Sequence, residues 1–162
     1  MMVKVEENVQ DFELEAFQND KIRKIKLSDL KGKWVVLLFY PADFTFICPT
    51  ELEDAAMHYA DFKKLHAEVL SVSTDTVFVH KAWHDHSKAI NKVQYPMLAD
   101  PTGRVCRQFG TYLEKEGLSL RATFIIDPDG VLKAMDMHDN SIGRSTKEIL
   151  RKLAASKIVR EH

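Results

Sequence analysis

The sequence predicts an α/β fold, a central mixed sheet flanked by helices, on three observations. Trp34–Phe39, Val69–Ser73 and Ala122–Ile126 are short apolar runs rich in β-branched residues, the mark of buried strands. Helical periodicity separates the first two runs, which makes a β-α-β unit and requires parallel pairing. The turn sequence Asp127-Pro-Asp-Gly130 follows the third run and adds an antiparallel hairpin.

The elements follow in chain order. Trp34-Val-Val-Leu-Leu-Phe39 has no polar interruption, so both of its faces should be covered. Over Pro49–His66, Leu52, Ala55, Ala56, Tyr59 and Phe62 recur at helical spacing, with Glu53, Asp54, Asp61 and Lys64 on the opposite side. Val69–Ser73 is the second strand. A second helix at about Val79–Ile90 presents Val79, Ala82, Trp83, His86 and Ile90 along one stripe. Cys106, in Arg104-Val-Cys-Arg-Gln-Phe109, falls on a short helix after the turn Asp100-Pro-Thr-Gly103. Ala122–Ile126 pairs with Val131–Met137, which is expected at the sheet edge. Ser145-Thr-Lys-Glu148 reads as a capping box opening a last helix that buries Ile149, Leu150 and Leu153.

No linker, repeat or low-complexity tract interrupts the chain, so residues 1–162 are expected to form one domain with a core of normal size. A formal net charge of −1 supplies no field to attract nucleic acid or an anionic membrane. No apolar run approaches ~20 residues, and Met1-Met-Val-Lys-Val-Glu-Glu7 lacks the apolar centre of a signal peptide. Two cysteines are too few for a secreted disulfide scaffold. The expectation is a cytoplasmic protein with neither nucleic acid nor membrane as a partner.

Cys48 is the residue with the most chemistry around it. It follows the first strand run and precedes a helix signal in which Pro49 fits the first helical position and Glu51 the first turn. Unpaired N–H groups at a helix start carry partial positive charge and favour a thiolate. Thr45 can hold a hydroxyl beside the sulfur. Glu51 stands three residues on where a dithiol motif would have its second cysteine, so Cys-x-x-Cys chemistry is excluded here. A cysteine in an apolar stretch is by default a small buried hydrophobe, and it is the position of Cys48 that shifts the reading toward a nucleophile. Pro49 disfavours helical dihedrals at Cys48, so this first turn is expected to be weak.

Pro41-x-x-x-Thr45-x-x-Cys48 resembles the active-site signature of the peroxiredoxin family, and Phe39-Tyr-Pro-Ala-Asp-Phe-Thr-Phe-Ile-Cys-Pro-Thr-Glu51 resembles its AhpC-type branch. The similarity continues through Lys81-Ala-Trp83, Tyr95–Gly103, Arg121-Ala-Thr-Phe-Ile-Ile-Asp127 and Gly143-Arg144. It implies a thioredoxin-like sandwich and a thiol-dependent peroxidase that uses no cofactor and no metal. In that reading Cys48 attacks a peroxide oxygen and becomes a sulfenic acid. Thr45 and Arg121 keep the thiolate ionised and stabilise the departing oxygen, and Pro41 shields the sulfur from water. Glu51 orients the arginine or, on the plainer reading, caps the helix. Tyr40 and Trp83 lie near the pocket and contribute mainly packing.

The resemblance further implies hydrogen peroxide and small organic hydroperoxides as substrates. The reductant would be a thioredoxin-like protein or a flavoprotein disulfide reductase, and the assembly homodimers able to build a decamer. The Val131–Met137 edge would supply one contact, and Thr76–Trp83, with Phe78, a second that a His80/His84 face would make pH-sensitive. The Val-Cys-Pro motif that carries the family's resolving cysteine is absent before His162, which leaves a one-cysteine variant or a sequence that stops short. Cys106 is read as a core cysteine; as a resolving thiol it would rely on Arg104 and Arg107 to lower its pKa. His80, His84 and His86 lack the ligand set of a recognisable metal site. Two rival functions are carried: a thiol-disulfide exchange protein, and a redox-signalling or chaperone-like protein switched by oxidation.

Overall fold

The computed structural model describes residues 2–162. A seven-stranded mixed sheet forms its centre, ordered β2-β1-β5-β4-β3-β8-β9. These strands are β1 (Glu13–Gln18), β2 (Lys21–Lys26), β3 (Trp34–Phe39), β4 (Ala67–Ser73), β5 (Met97–Ala99), β8 (Arg121–Ile126) and β9 (Leu132–His138); β6 (Tyr112–Leu113) and β7 (Leu118–Ser119) form a separate ribbon. The helices are α1 (Ile47–Met57), α2 (Tyr59–Lys64), α3 (Val77–His86), α4 (Arg104–Gln108) and α5 (Thr146–Glu161). Strands β3, β4 and β5 run parallel, while β8 is antiparallel to β3 and β9 to β8. The α/β class and the hairpin read from the sequence hold, and β9 lies at the sheet edge as expected.

Alternation along β3 divides the core. Val36, Leu38 and Tyr40 face one cluster with Leu52 of α1, Phe62 of α2, Trp83 of α3 and Leu153 of α5. Val35, Leu37 and Phe39 face the other with Phe12, Val105 and Phe109. On that second face the Phe109 and Phe124 rings meet edge to face at 4.8 Å, the geometry their quadrupoles favour. Burying a Leu or Phe side chain stabilises the fold by about 1.5–3 kcal/mol, which explains why the continuous apolar runs become the central strands.

Several boundaries differ from the expectation. The first helix begins at Ile47, so Pro49 occupies its third position and Cys48 is helical. Pro49 breaks no bond there, because the first four N–H groups of a helix have no partner within it. The stretch to His66 breaks at His58, where the dihedrals leave the helical region and two helices result. In α3 the buried positions are Val77, His80 and Trp83, while Ala82 and His86 are exposed. The anticipated stripe was displaced because Thr76 caps the helix earlier, accepting from the Val79 N–H at 3.3 Å. At α5 only half the capping box forms: Ser145 Oγ accepts from the Glu148 N–H, but the Glu148 carboxylate turns to Arg151.

The hairpin β1–β2 carries no clear signal in the sequence, since β2 is Lys-Ile-Arg-Lys-Ile-Lys with only Ile25 buried. Its two-residue turn places Asn19 and Asp20 at φ +51° and +62°, the pair of positive values that such a hairpin requires.

Candidate active site

The antiparallel register of β3 and β8 pairs Phe39 with Ala122. The chain leaving β3 therefore passes beside Arg121, the first residue of β8, and then turns through Tyr40–Phe46 into α1. This crossing brings Cys48 and Arg121 together although 73 residues separate them. Cys48 is fully buried, and Arg121 Nη1 donates to its sulfur at 3.1 Å. The same Nη1 donates to Glu51 Oε1 at 2.5 Å, one helical turn beyond the cysteine.

Glu51 is buried and joined to a second arginine. Arg144 donates to Glu51 Oε2 through its backbone N–H and through Nε, both at 2.8 Å. Its Nη1 reaches the Ala122 carbonyl at 2.6 Å and Thr123 Oγ1 at 3.1 Å, and Nη2 reaches the Phe39 carbonyl. Arg144 thus ties the ends of β3 and β8 to α1. Burial pulls its guanidinium below the ordinary value, and the Glu51 carboxylate opposes that shift. Arg121 is held from behind by Asn140, whose Oδ1 accepts from its backbone N–H at 2.9 Å and whose carbonyl accepts from Nε at 2.8 Å. Among the described residues, Arg121 Nη2 has no hydrogen-bond partner.

The other anticipated residues cluster around this centre. Pro41 is buried in the loop leading to the cysteine. Thr45 is half-buried and donates its hydroxyl hydrogen to the Ala42 carbonyl at 2.9 Å, not to the sulfur. Phe44, beside it, has φ +60°, which costs an aromatic residue about 1–3 kcal/mol and must be held by its surroundings. The Tyr40 and Trp83 rings pack 5.9 Å apart, and the Tyr40 hydroxyl donates to Asp43 Oδ1 at 2.5 Å.

Cys106 lies apart. It is buried on α4 in the cluster on the opposite face of the sheet from Cys48. Burial, then the Asp100 carboxylate, push its thiol far above the ordinary range. Arg104 and Arg107 do not lower it: their side chains turn outward to the Glu13 carbonyl and to Glu114. The histidines also correct the expectation of a shared exposed face. His80 is wholly buried, its Nδ1 2.6 Å from Asp43 Oδ2 and its Nε2 2.9 Å from the Leu98 carbonyl. His84 meets the Val93 carbonyl at 2.9 Å, and His86 is exposed. No group of three or more His, Cys, Asp or Glu among the described residues is arranged to hold a metal ion.

The sequence shows Gly143-Arg144 without assigning Arg144 a role, and it does not point to Asn140 or to the Asp43–His80 pair. An arginine after a glycine was the available signal. Nothing local marks Asn140 or joins Asp43 to His80, since the partners lie 19 and 37 residues away.

The family model described as AhpC/TSA matches residues 5–135. Alkyl hydroperoxide reductase C of Amphibacillus xylanus is 50% identical over 155 residues, covering 95% of this chain and 82% of the relative. The protein of the same name from Salmonella typhimurium is 47% identical over 154 residues, with the same coverage. The crystal structure of Enterococcus faecalis AhpC superposes with a TM-score of 0.97 at 45% identity, covering 99% of this chain and 96% of that one. The reduced 2-Cys peroxiredoxin of Plasmodium vivax gives 0.94 at 29% identity, covering 98% and 84%. The mixed sheet flanked by helices is the thioredoxin-like arrangement that the sequence resemblance implies. Among the described residues, no helix is long and apolar enough to cross a membrane.

Proposed function

The chain belongs to the AhpC/TSA family, and from that premise we propose how its residues divide the work of peroxide reduction. It is a peroxiredoxin, a thiol-dependent hydroperoxide reductase with a peroxide substrate and a reductant as partner. Cys48 is the peroxidatic nucleophile, and Arg121 and Thr45 are its catalytic neighbours. Pro41 shields the sulfur, Glu51 and Arg144 orient Arg121, and Tyr40 and Trp83 supply packing.

The observation that carries this reading is the contact of Arg121 Nη1 with Cys48 Sγ at 3.1 Å, braced by Glu51. Two guanidiniums and one carboxylate leave one positive charge unmatched in a buried site, and a Cys48 thiolate balances it. That thiolate attacks one peroxide oxygen. The S–O bond forms as the O–O bond breaks, and the departing oxygen takes a proton and leaves as water or an alcohol. The unpartnered Arg121 Nη2 is suited to stabilise charge on that oxygen, and the Thr45 oxygen, whose own hydrogen goes to the Ala42 carbonyl, is suited to accept from the peroxide O–H. A thiol then attacks the sulfenic acid, releasing water and forming a disulfide that a second thiol reduces.

Hydrogen peroxide and small organic hydroperoxides are the proposed substrates, and a thioredoxin-like protein or flavoprotein disulfide reductase the proposed reductant. Because the cycle needs a supply of reduced thiols, a cytoplasmic location fits it. Residues 1–162 act as one domain. Assembly through dimers, able to build a decamer, is proposed from the open β9 edge.

The test is peroxide consumption with a generic dithiol donor. Cys48→Ser is expected to abolish it, and Cys106→Ser to leave sulfenic-acid formation at the wild-type rate. Substantial turnover by Cys48→Ser would refute the assignment. Reduction of protein disulfides without peroxide consumption would favour a thiol-disulfide exchange protein instead.

A further inference from the structure

Asp43 lies between Pro41 and Thr45 in the loop that leads to Cys48, and its carboxylate is wholly buried. One oxygen accepts from the Tyr40 hydroxyl at 2.5 Å, and the other meets His80 Nδ1 at 2.6 Å. His80 Nε2 lies 2.9 Å from the Leu98 carbonyl oxygen, which can only accept. That nitrogen therefore carries a hydrogen, and a second hydrogen on Nδ1 satisfies the carboxylate. Burial works against an imidazolium here, but the hydrogen bond and charge of Asp43, with the Leu98 carbonyl and Asp75, outweigh it and hold His80 above its ordinary value.

The backbone of Asp43 is held as well. Its N–H donates to Asp75 Oδ2 at 2.7 Å, and Asp75 also accepts from Ser73 Oγ at 3.0 Å. Asp43 is thus fixed from the end of β3, from α3 and from the connection between β4 and α3. The two peptides beside it are the ones that matter for chemistry. Ala42, just before, offers the carbonyl that takes the Thr45 hydroxyl hydrogen at 2.9 Å. Phe44, just after, holds its left-handed φ of +60°. With its one hydrogen committed to Ala42, the Thr45 hydroxyl presents its oxygen as an acceptor; on a loose loop it would sample many orientations, whereas a catalytic group acts best when fixed in advance.

We propose that His80 and Asp43 are positioning residues for peroxide reduction, an imidazolium–carboxylate pair that fixes the Ala42–Thr45 loop and so orients the Thr45 hydroxyl at the Cys48 pocket. This rests on the assignment of Cys48 as nucleophile and Thr45 as its neighbour. Neither member of the pair bonds the sulfur, and they act through Ala42 and Thr45.

Stopped-flow oxidation of Cys48 by hydrogen peroxide tests it, in wild type, His80→Phe, His80→Asn, Thr45→Val and the double variant His80→Phe/Thr45→Val. Iodoacetamide alkylation reads the thiolate in parallel, and circular dichroism reads folding. His80→Phe is expected to slow peroxide oxidation by up to about 10²-fold, the scale of a misplaced reacting group, with alkylation unchanged. His80→Asn keeps a donor toward Asp43 and is expected to recover much of the loss. The double variant is expected to be no slower than Thr45→Val, since both changes remove one shared contribution. If His80→Phe fails to fold, Asp43→Asn, which keeps the shape and loses the charge, takes its place. Wild-type oxidation rates in these variants, alkylation that falls in step with oxidation, or additive losses in the double variant would each overturn the proposal. Peroxide consumption that survives Cys48→Ser would remove the underlying assignment, and this proposal with it, whatever the His80 variants do.

Discussion

A buried carboxylate between two arginines decides how the Cys48 pocket is charged. Glu51 accepts from Arg121 on one oxygen and from Arg144 on the other, all three side chains being almost inaccessible to solvent. Removing one member of such a group leaves a buried charge unmatched and costs about 3–5 kcal/mol. Glu51→Ala should therefore lower the urea midpoint as well as the peroxidase rate, because Arg121 loses its brace. Arg121→Ala should slow Cys48 oxidation by about 10²-fold or more, the scale for one lost donor to developing charge. A stopped-flow rate for Arg121→Ala equal to wild type would show that charge at the sulfur is stabilised elsewhere. The sequence pointed to Cys48, Arg121 and Glu51 through motif spacing. It could not show that Arg144 shares Glu51, because that contact spans 93 residues.

Helix α3 illustrates how an element can be recognised and yet placed on the wrong face. Its apolar residues Val77, Val79, Ala82 and Trp83 fit more than one stripe, and burial of His80 removes it from the contact face expected of His80 and His84. Its true inner face depends on Asp43, which comes from another segment. This pairing has a pH signature. His80 is held above its ordinary value of about 6.5. A group raised on folding contributes stability that is complete below the unfolded value and is lost as pH rises through the folded value. The stability gap between wild type and His80→Asn should thus narrow as urea unfolding is repeated from about pH 6 upward. Asp43 and Asp75 are the carboxylates whose charge acts on the ring, Asp43 through a direct contact at 2.6 Å. A gap independent of pH would mean that His80 keeps one protonation state throughout.

At the scale of the molecule, the sheet separates the two cysteines. Cys48 belongs to the core on the α1 and α5 side and Cys106 to the core on the α4 side. A disulfide needs Cα atoms within about 7 Å, so intact-mass spectrometry after stoichiometric peroxide should find oxygen added at Cys48 and no Cys48–Cys106 bridge within one chain. Such a bridge would require part of the sheet to open. The β9 edge has the opposite character, since its backbone is unpaired on one side and Met135 and Met137 are exposed along it. Replacing both with lysine, a usual guard of open edges, should shift light scattering toward monomer. An unchanged mass would locate the proposed dimer contact elsewhere.

The sequence by itself determined the three central strands and the β8–β9 hairpin, and it singled out the proposed nucleophile. Continuous β-branched runs of about six residues are too short for a buried helix and suit a strand covered on both faces, and a cysteine between a strand and a helix start stands where backbone N–H groups converge. It left β1, β2 and β5 unmarked, because β2 is charged and exposed and β5 is only three residues long. Only the tertiary structure decided that Arg144, Asn140, Asp43 and His80 surround the site. Their bonds join residues distant in the chain, and a buried polar group finds its partner through the fold's register, which no local pattern records.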